Sequence, residues 1–269
     1  MVGPWEWLAW AWGVAAVVFA GVWWVCHRIG NAGYVDVAWA FGIMLGVVLA
    51  AFMICEFESG RAILVFVIGG LWALRLSRHL YQRIHGKEED GRYAHMRKSF
   101  GAKAPLAFFV FFQMQAFFVV LFLAPMVSAM TRPGPLDWRD ALGLGIWLVA
   151  LGGEWLADKQ LADFKRDPAN AGGVCKRGLW RYSRHPNYFF EWLHWFAWAV
   201  MAVGSPNAWV ALAGPVVVYL FLVRLSGIPW VEQQALRTRG DAYARYQETT
   251  SPFFLRPPRE AVNMAEPAR

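Results

Sequence analysis

Seven stretches of this chain run for about twenty mostly apolar residues, and they limit the folds open to it more than any other feature. The hydrocarbon core of a bilayer is crossed by about 20 apolar residues in a helix. Lipid offers no partner to backbone N–H and C=O groups, so each crossing segment must satisfy its own. The stretches cover residues 5–26, 34–55, 62–82, 104–130, 140–160, 187–204 and 206–226. Only Gly204, Ser205, Pro206 and Asn207 divide the last two, which predicts a tight turn. Charged residues make up 17% of the chain, against roughly a quarter in soluble domains. The expectation is an all-α, polytopic membrane bundle with seven transmembrane helices. No repeat or low-complexity linker divides it, so residues 1–269 are expected to form a single membrane domain.

The basic residues orient this map, because cytoplasmic loops carry the lysine and arginine excess. Three segments are rich in them. These hold Arg83, Lys87, Arg92, Arg97, Lys98 and Lys103; then Lys165, Arg166, Lys176, Arg177, Arg181 and Arg184; then Arg237, Arg239, Arg245, Arg256, Arg259 and Arg269. The alternate loops hold only Arg61, Arg132 and Arg139. Seven spans put the rich segments on one side, with the N-terminus outside and the C-terminus cytoplasmic. Orientation and contact with anionic membrane lipids therefore account for most of the +7 charge, and no nucleic-acid partner is expected. MVGPWEWLAW lacks a basic n-region, so the first segment is expected to be a retained span. Cys26, Cys55 and Cys175 are far apart and form no disulfide framework or zinc-type spacing, and no metal is expected.

Several polar groups are not accounted for by topology, and ionisable residues in or beside spans mark functional sites. YVDVAW places Asp36 at the start of the second span, where the helix dipole also favours a carboxylate. LWALRLSRHLYQR aligns Arg75, Arg78 and Gln82 on one helix face. Arg78 can snorkel to the interface, whereas Arg75 lies deeper. GKEEDGRYAHMRKSFG reads in its first half as a solvated loop and in its second as a source of anion donors and of the Tyr93 hydroxyl.

The second half of the chain is richer. In GEWLADKQLADFKRDP, residues Glu154, Asp158 and Lys165 share a helical stripe. Two carboxylates one turn apart at membrane depth repel unless something donates to them. In GLWRYSRHPNYFFEW, Pro186 suits a first helical turn, and Asn187, Glu191 and His194 then follow on one face. Beyond Arg224, Gly227 and Pro229 interrupt the last span; Glu232, Tyr243 and Tyr246 follow in a polar, amphipathic stretch. Arginines match phosphates and carboxylates match ribose hydroxyls or an amide, so a nucleotide entering from the cytoplasm suits residues 140–260, with a lipophilic ligand enclosed by residues 1–130. No soluble nucleotide motif is present, since GLG at 143–145 lies inside a span.

GLWRYSRHPNYFFEW, with LADFKRDP before it and SGIPWVEQ and YARYQETTSPF after it, closely resembles bacterial membrane proteins of the steroid 5α-reductase-like family. YVDVAW and EEDGRYAHMRKSFG resemble it as well, so the likeness spans nearly the whole chain. RHPNY is shared with sterol reductases and isoprenylcysteine carboxyl methyltransferases. The resemblance implies seven helices in the bacterial inner membrane, with NADPH held by the last three and a lipophilic enone held by the first four. By position it assigns cofactor contacts to Asn187, Glu191, Asp158, Glu154, Lys165 and Arg224. It sets Arg181, Tyr182, Arg184 and His185 on the phosphate or adenosine side, and Glu232, Tyr243 and Tyr246 are compatible with cofactor binding. The family's substrate-polarising Glu and Tyr are not matched, because Arg75 stands where the Tyr is expected; Asp36, Tyr34, Arg75 and Tyr93 are the candidates to replace them. Two other readings stay open at this point: an S-adenosylmethionine-dependent methyltransferase of a lipophilic acceptor, and a non-enzymatic lipid- or sterol-binding protein. A single bundle of this kind is expected to be monomeric.

Overall fold

The computed structural model describes residues 3–55 and 59–259. Arg269 and residue 260, the last of the expected cofactor half, lie outside the described residues. The chain runs through α1 (Pro4–Ile29), α2 (Tyr34–Met53), α3 (Gly60–Ile84), a short α4 (Gly91–Phe100), α5 (Ala104–Met130), α6 (Trp138–Arg166), α7 (Pro186–Ala202) and α8 (Ala208–Leu220). A π turn over Phe221–Leu225 then leads to α9 (Ile228–Arg239) and α10 (Asp241–Thr249). Among the described residues six helical stretches, those containing α1, α2, α3, α5, α6 and α8, are long and apolar enough to cross a membrane. The chain is thus an integral, multi-pass, all-helical membrane protein. Where a span over 187–204 is expected, α7 has 17 residues. At 1.5 Å per residue it is about 26 Å long, short of a hydrocarbon core of ~30 Å.

The helices fall into two compact units. The first comprises the chain up to Asp140 together with Trp198–Ala213. In it α2 packs against α3 and α5, and α1 against α5. Val35, Ile43, Val47 and Ala50 are the buried face of α2. Gly46 sits so close to Leu123 of α5 that a Cβ would overlap the leucine methyls. Pro4 opens α1, and Gly30 closes it in the left-handed conformation (φ 71°). Trp10, Trp12, Val17 and Trp24 leave α1 exposed and apolar, as a lipid-facing helix requires.

The three cations of the poorly charged loops build one end of this unit. Arg61 is 1% exposed and donates to Asp140 through Nε (2.8 Å) and Nη2 (3.0 Å). Its remaining bonds go to the carbonyls of Arg132 (2.6 Å), Gly134 (3.1 Å) and Pro135 (2.6 Å). Arg132 reaches Asp140 at 2.6 Å and Asp137 at 2.8 Å, while Arg139 grips Asp137 and the Val203 carbonyl. Burial makes the charges of Arg61, Arg132 and Asp140 costly alone, and mutual pairing offsets that cost.

The second unit comprises Ala141–Ala197 and the chain from Gly214 onward. Gly153 of α6 leaves no room for a Cβ beneath the Phe190 ring of α7, which brings those two helices close. The Trp180 indole donates to Ala157 (2.9 Å) and the Trp192 indole to Pro215 (2.9 Å). Helices α9 and α10 turn at Gly240 and share a small core of Ala235, Tyr243 and Tyr246, packed on Val174.

Removing Arg61 leaves the buried Asp140 with Arg132 as its remaining counter-charge and takes the donor from three carbonyls. Arg61→Met is expected to cost about 3–5 kcal/mol, read as a large fall in the melting temperature of detergent-purified protein. Lys159→Met breaks only an exposed pair with Asp163 and should leave the melting curve in place.

Candidate functional site

In the first unit, the YVDVAW and EEDGRYAHMRKSFG segments interlock. Asp36, in the first turn of α2, accepts from Tyr93 Oη at 2.7 Å and from Arg92 Nη2 at 3.1 Å. Asp90 caps α4 by accepting the Arg92 N–H at 3.0 Å and also holds the Arg92 Nε (3.1 Å) and Arg83 Nη2 (2.6 Å). Glu89 takes a fork from Arg97 at 3.0 and 2.7 Å and the Ala32 N–H at 2.8 Å. Burial pushes both carboxyls up, but the donors outweigh it and hold Glu89 and Asp90 below the ordinary carboxylate range. The expected solvated loop therefore stops early: Lys87 and Glu88 are exposed, while Glu89 and Asp90 are drawn inward.

Of the four candidate catalytic residues, Asp36 and Tyr93 are brought into direct contact, with Tyr93 4% exposed. Tyr34 lies near His85 Nδ1 at 3.4 Å. Arg75 is half-buried, nine residues before the end of α3.

In the second unit, the segment before Pro186 is held by the chain's end. Ser183 Oγ donates to the Phe253 carbonyl (2.8 Å) and accepts the His185 N–H (3.1 Å). The Arg184 N–H donates to Ser251 O (2.8 Å), and the Arg256 N–H donates to Tyr182 O (3.0 Å). Tyr246 Oη bonds the carbonyls of Trp180 and Ser183. Glu232 of α9 is the common acceptor. Its Oε1 takes Arg184 Nε at 2.6 Å and His185 Nε2 at 3.1 Å; its Oε2 takes Arg184 Nη2 at 3.2 Å and Gln247 Nε2 at 2.8 Å. Arg184 Nη1 donates to Gln247 O (3.0 Å) and Thr250 O (2.5 Å), so the whole guanidinium is engaged inside the protein. Phe253 and Phe254 finish the strap, packing on Phe189, Trp192 and Tyr219 at centroid distances of 5.4–6.4 Å.

Past Pro186, Asn187 Nδ2 donates to Asp158 Oδ1 at 3.2 Å, joining the α6 and α7 stripes as their spacing predicts. Asn187 Oδ1 accepts the Tyr188 N–H (3.0 Å), which fixes the direction of its amide. Glu154, one turn before Asp158, and Glu191, one turn after Asn187, are half-buried. Lys165, Arg181, Tyr182 and Arg224 are exposed, and among the described residues the three cations make no ion pair. Tyr243 is buried in the α9–α10 core. The cations expected from sequence thus separate into one buried anchor and three outward donors. The role of the strap was beyond sequence reasoning, since its contacts are mostly to backbone carbonyls.

The family model described as a protein of unknown function, DUF1295, matches residues 22–250. Steroid 5-alpha-reductase DET2 of Gossypium hirsutum is 38% identical over 64 residues, which is 24% of this chain and 25% of that protein. An uncharacterized protein of Schizosaccharomyces pombe is 29% identical over 234 residues, covering 74% of this chain and 64% of the relative. The chain spans less than two thirds of the length of either of these curated relatives. No solved structure matches it.

Arg184→Ala leaves Glu232, 14% exposed, without its main counter-charge and frees the carbonyls of the strap. We expect a loss of about 3–5 kcal/mol and faster proteolytic cleavage after Arg256 and Arg259. Retention of wild-type cleavage kinetics would show that the strap is held by its aromatic packing instead.

Proposed function

The chain belongs to the DUF1295 family, which is the steroid 5-alpha-reductase-like family, and on that premise we propose that it is an NADPH-dependent membrane reductase of an activated C=C bond in a lipophilic enone, of which a 3-oxo-Δ4 steroid is one example. The observation that carries this reading is the Asn187–Asp158 contact. It assembles an amide and a carboxylate beside two further half-buried carboxylates, Glu154 and Glu191. These groups suit ribose hydroxyls and a carboxamide. The exposed Lys165, Arg181 and Arg224 suit phosphates, and Tyr182 presents a ring for stacking. The donor set therefore fits a dinucleotide. Arg184, His185, Glu232, Tyr243 and Tyr246 shape the lip that holds these contacts.

When bound, NADPH supplies the hydride. The protein's own task is to bind, orient and polarise. In our reading Tyr93 donates to the substrate carbonyl oxygen, where negative charge develops as the β-carbon is reduced. The single Tyr93 proton, held by Asp36 in the free protein, turns to that oxygen when substrate binds and passes to it; Arg92, over the Tyr93 ring, steadies the phenolate left behind, which solvent reprotonates. The Asp36–Tyr93 pair thus takes the role that the family's unmatched Glu and Tyr would have filled. Helices α1, α2, α3 and α5 supply the apolar enclosure for the substrate. We also read α7 as a seventh span, the N-terminus as outside, the C-terminus as cytoplasmic and the protein as a monomer of the bacterial inner membrane. The three basic segments on one side support that orientation.

Purified protein in detergent should bind NADPH in calorimetry and oxidise it in the presence of a 3-oxo-Δ4 steroid or another lipophilic enone. Tyr93→Phe should lower kcat by roughly 10²-fold or more and leave NADPH affinity within about two-fold, because the phenol contributes to chemistry rather than to cofactor binding. Binding of S-adenosylmethionine with no binding of NADPH would overturn the reductase reading.

A further inference from the structure

His185 lies in the RHPNY segment, which the family resemblance sets on the phosphate or adenosine side of a cofactor. The geometry narrows that role. Its side chain is 4% exposed, and Nε2 lies 3.1 Å from Glu232 Oε1. A carboxylate held by Arg184 and Gln247 is ionised and only accepts. Nε2 must therefore carry the proton, and in a neutral ring Nδ1 is then a bare acceptor. Burial, opposed by the Glu232 contact and reinforced by Arg184, lowers the affinity of the ring for a second proton. Stacking on Tyr188 at 5.4 Å fixes the ring plane. Nδ1 has no hydrogen-bond partner among the described residues, and it is not among the buried polar atoms sealed without a partner. It is an acceptor in a ring of fixed plane, largely buried but not fully sealed, two residues before Asn187.

We propose that His185 Nδ1 is a specificity contact that accepts a hydrogen bond from a neutral donor of the bound ligand, an amine, amide or hydroxyl, and that Glu232 is the positioning residue that sets its tautomer. A phosphate offers no such donor when ionised, so this subsite belongs to the base, ribose or carboxamide portion of a nucleotide. The inference rests on the nucleotide reading above and narrows it.

Two measurements on the full chain in detergent test it, with NADPH as the probe. In the ¹⁵N spectrum of histidine-labelled protein at neutral pH, the His185 ring should show a protonated Nε2 and an unprotonated Nδ1, assigned by their loss in His185→Gln. A protonated Nδ1 overturns the proposal, and this readout needs no variant affinity. By calorimetry, His185→Phe, which keeps a ring against Tyr188, should bind NADPH roughly three- to ten-fold more weakly. The ratio should not change with salt, whereas loss of a phosphate contact would be screened. His185→Gln, whose side-chain oxygen accepts, should recover part of the affinity. Wild-type affinity in His185→Phe, or a defect that vanishes at high salt, overturns this inference alone. Wild-type protein that fails to bind NADPH overturns the nucleotide reading and this inference with it.

Discussion

One carboxylate, that of Glu232, organises the polar half of the second unit. It gathers Arg184, His185 and Gln247, and the remaining Arg184 nitrogen reaches the carbonyls of Gln247 and Thr250. A buried guanidinium is tolerable only when its whole fork is satisfied. Satisfying it here requires that α9, α10 and the chain beyond Thr250 all arrive at the residues before Pro186. The backbone follows the same logic: Ser251, Phe253 and Arg256 bond to Tyr182, Ser183 and Arg184. The start of α7 is therefore anchored from behind, and the position of Asn187 against Asp158 depends on an anchor more than forty residues away in sequence.

The first unit uses carboxylates in the same way at a smaller scale. Asp90 caps α4 and collects two arginines, Glu89 ties Arg97 to the backbone of Ala32, and Asp36 holds Arg92 and Tyr93. Each acid ties the short polar α4 to a neighbouring helix or, for Glu89, to the turn between α1 and α2. This arrangement gives the first helices a defined end, although their apolar faces alone specify little about register. At the opposite end Arg61 and Asp140 do the same work.

Much of the helical layout is legible in the sequence because lipid leaves a segment no alternative to helix, and apolar runs of twenty residues mark where that constraint acts. The meeting of Asn187 with Asp158 is legible too, since two polar stripes on neighbouring amphipathic helices have few other ways to be satisfied. The arginines resist reading for the opposite reason. Orientation, lipid contact, ligand contact and structural pairing all ask for the same residue type, and the choice among them is made by distant partners. Arg184 looks like its neighbour Arg181 in sequence, yet one is buried on Glu232 and the other is exposed. Arg61, Arg132 and Arg139 look like stray charges in poorly basic loops, yet Arg61 and Arg132 are buried on Asp140 and Arg139 joins them through the half-buried Asp137. Backbone acceptors such as Thr250 O and Pro135 O carry no sequence signature at all.

The same separation bears on chemistry. A cation whose hydrogen bonds are complete inside the protein shapes a site, whereas one that is exposed and outside any ion pair can meet an anion without first breaking a contact. On that criterion Lys165, Arg181 and Arg224 are suited to phosphate, and Arg184 to architecture. Tyr93 fits an analogous argument within the proposed reaction. A phenol near membrane depth needs a partner, and Asp36 provides one at 2.7 Å. An acid and a phenol are thus paired although the third span carries Arg75 where the family pattern has a tyrosine, because the phenol comes from α4 instead. The role of a proton donor is set by which groups converge rather than by which span contributes them, so a missing motif residue in α3 is compatible with the proposed reductase chemistry.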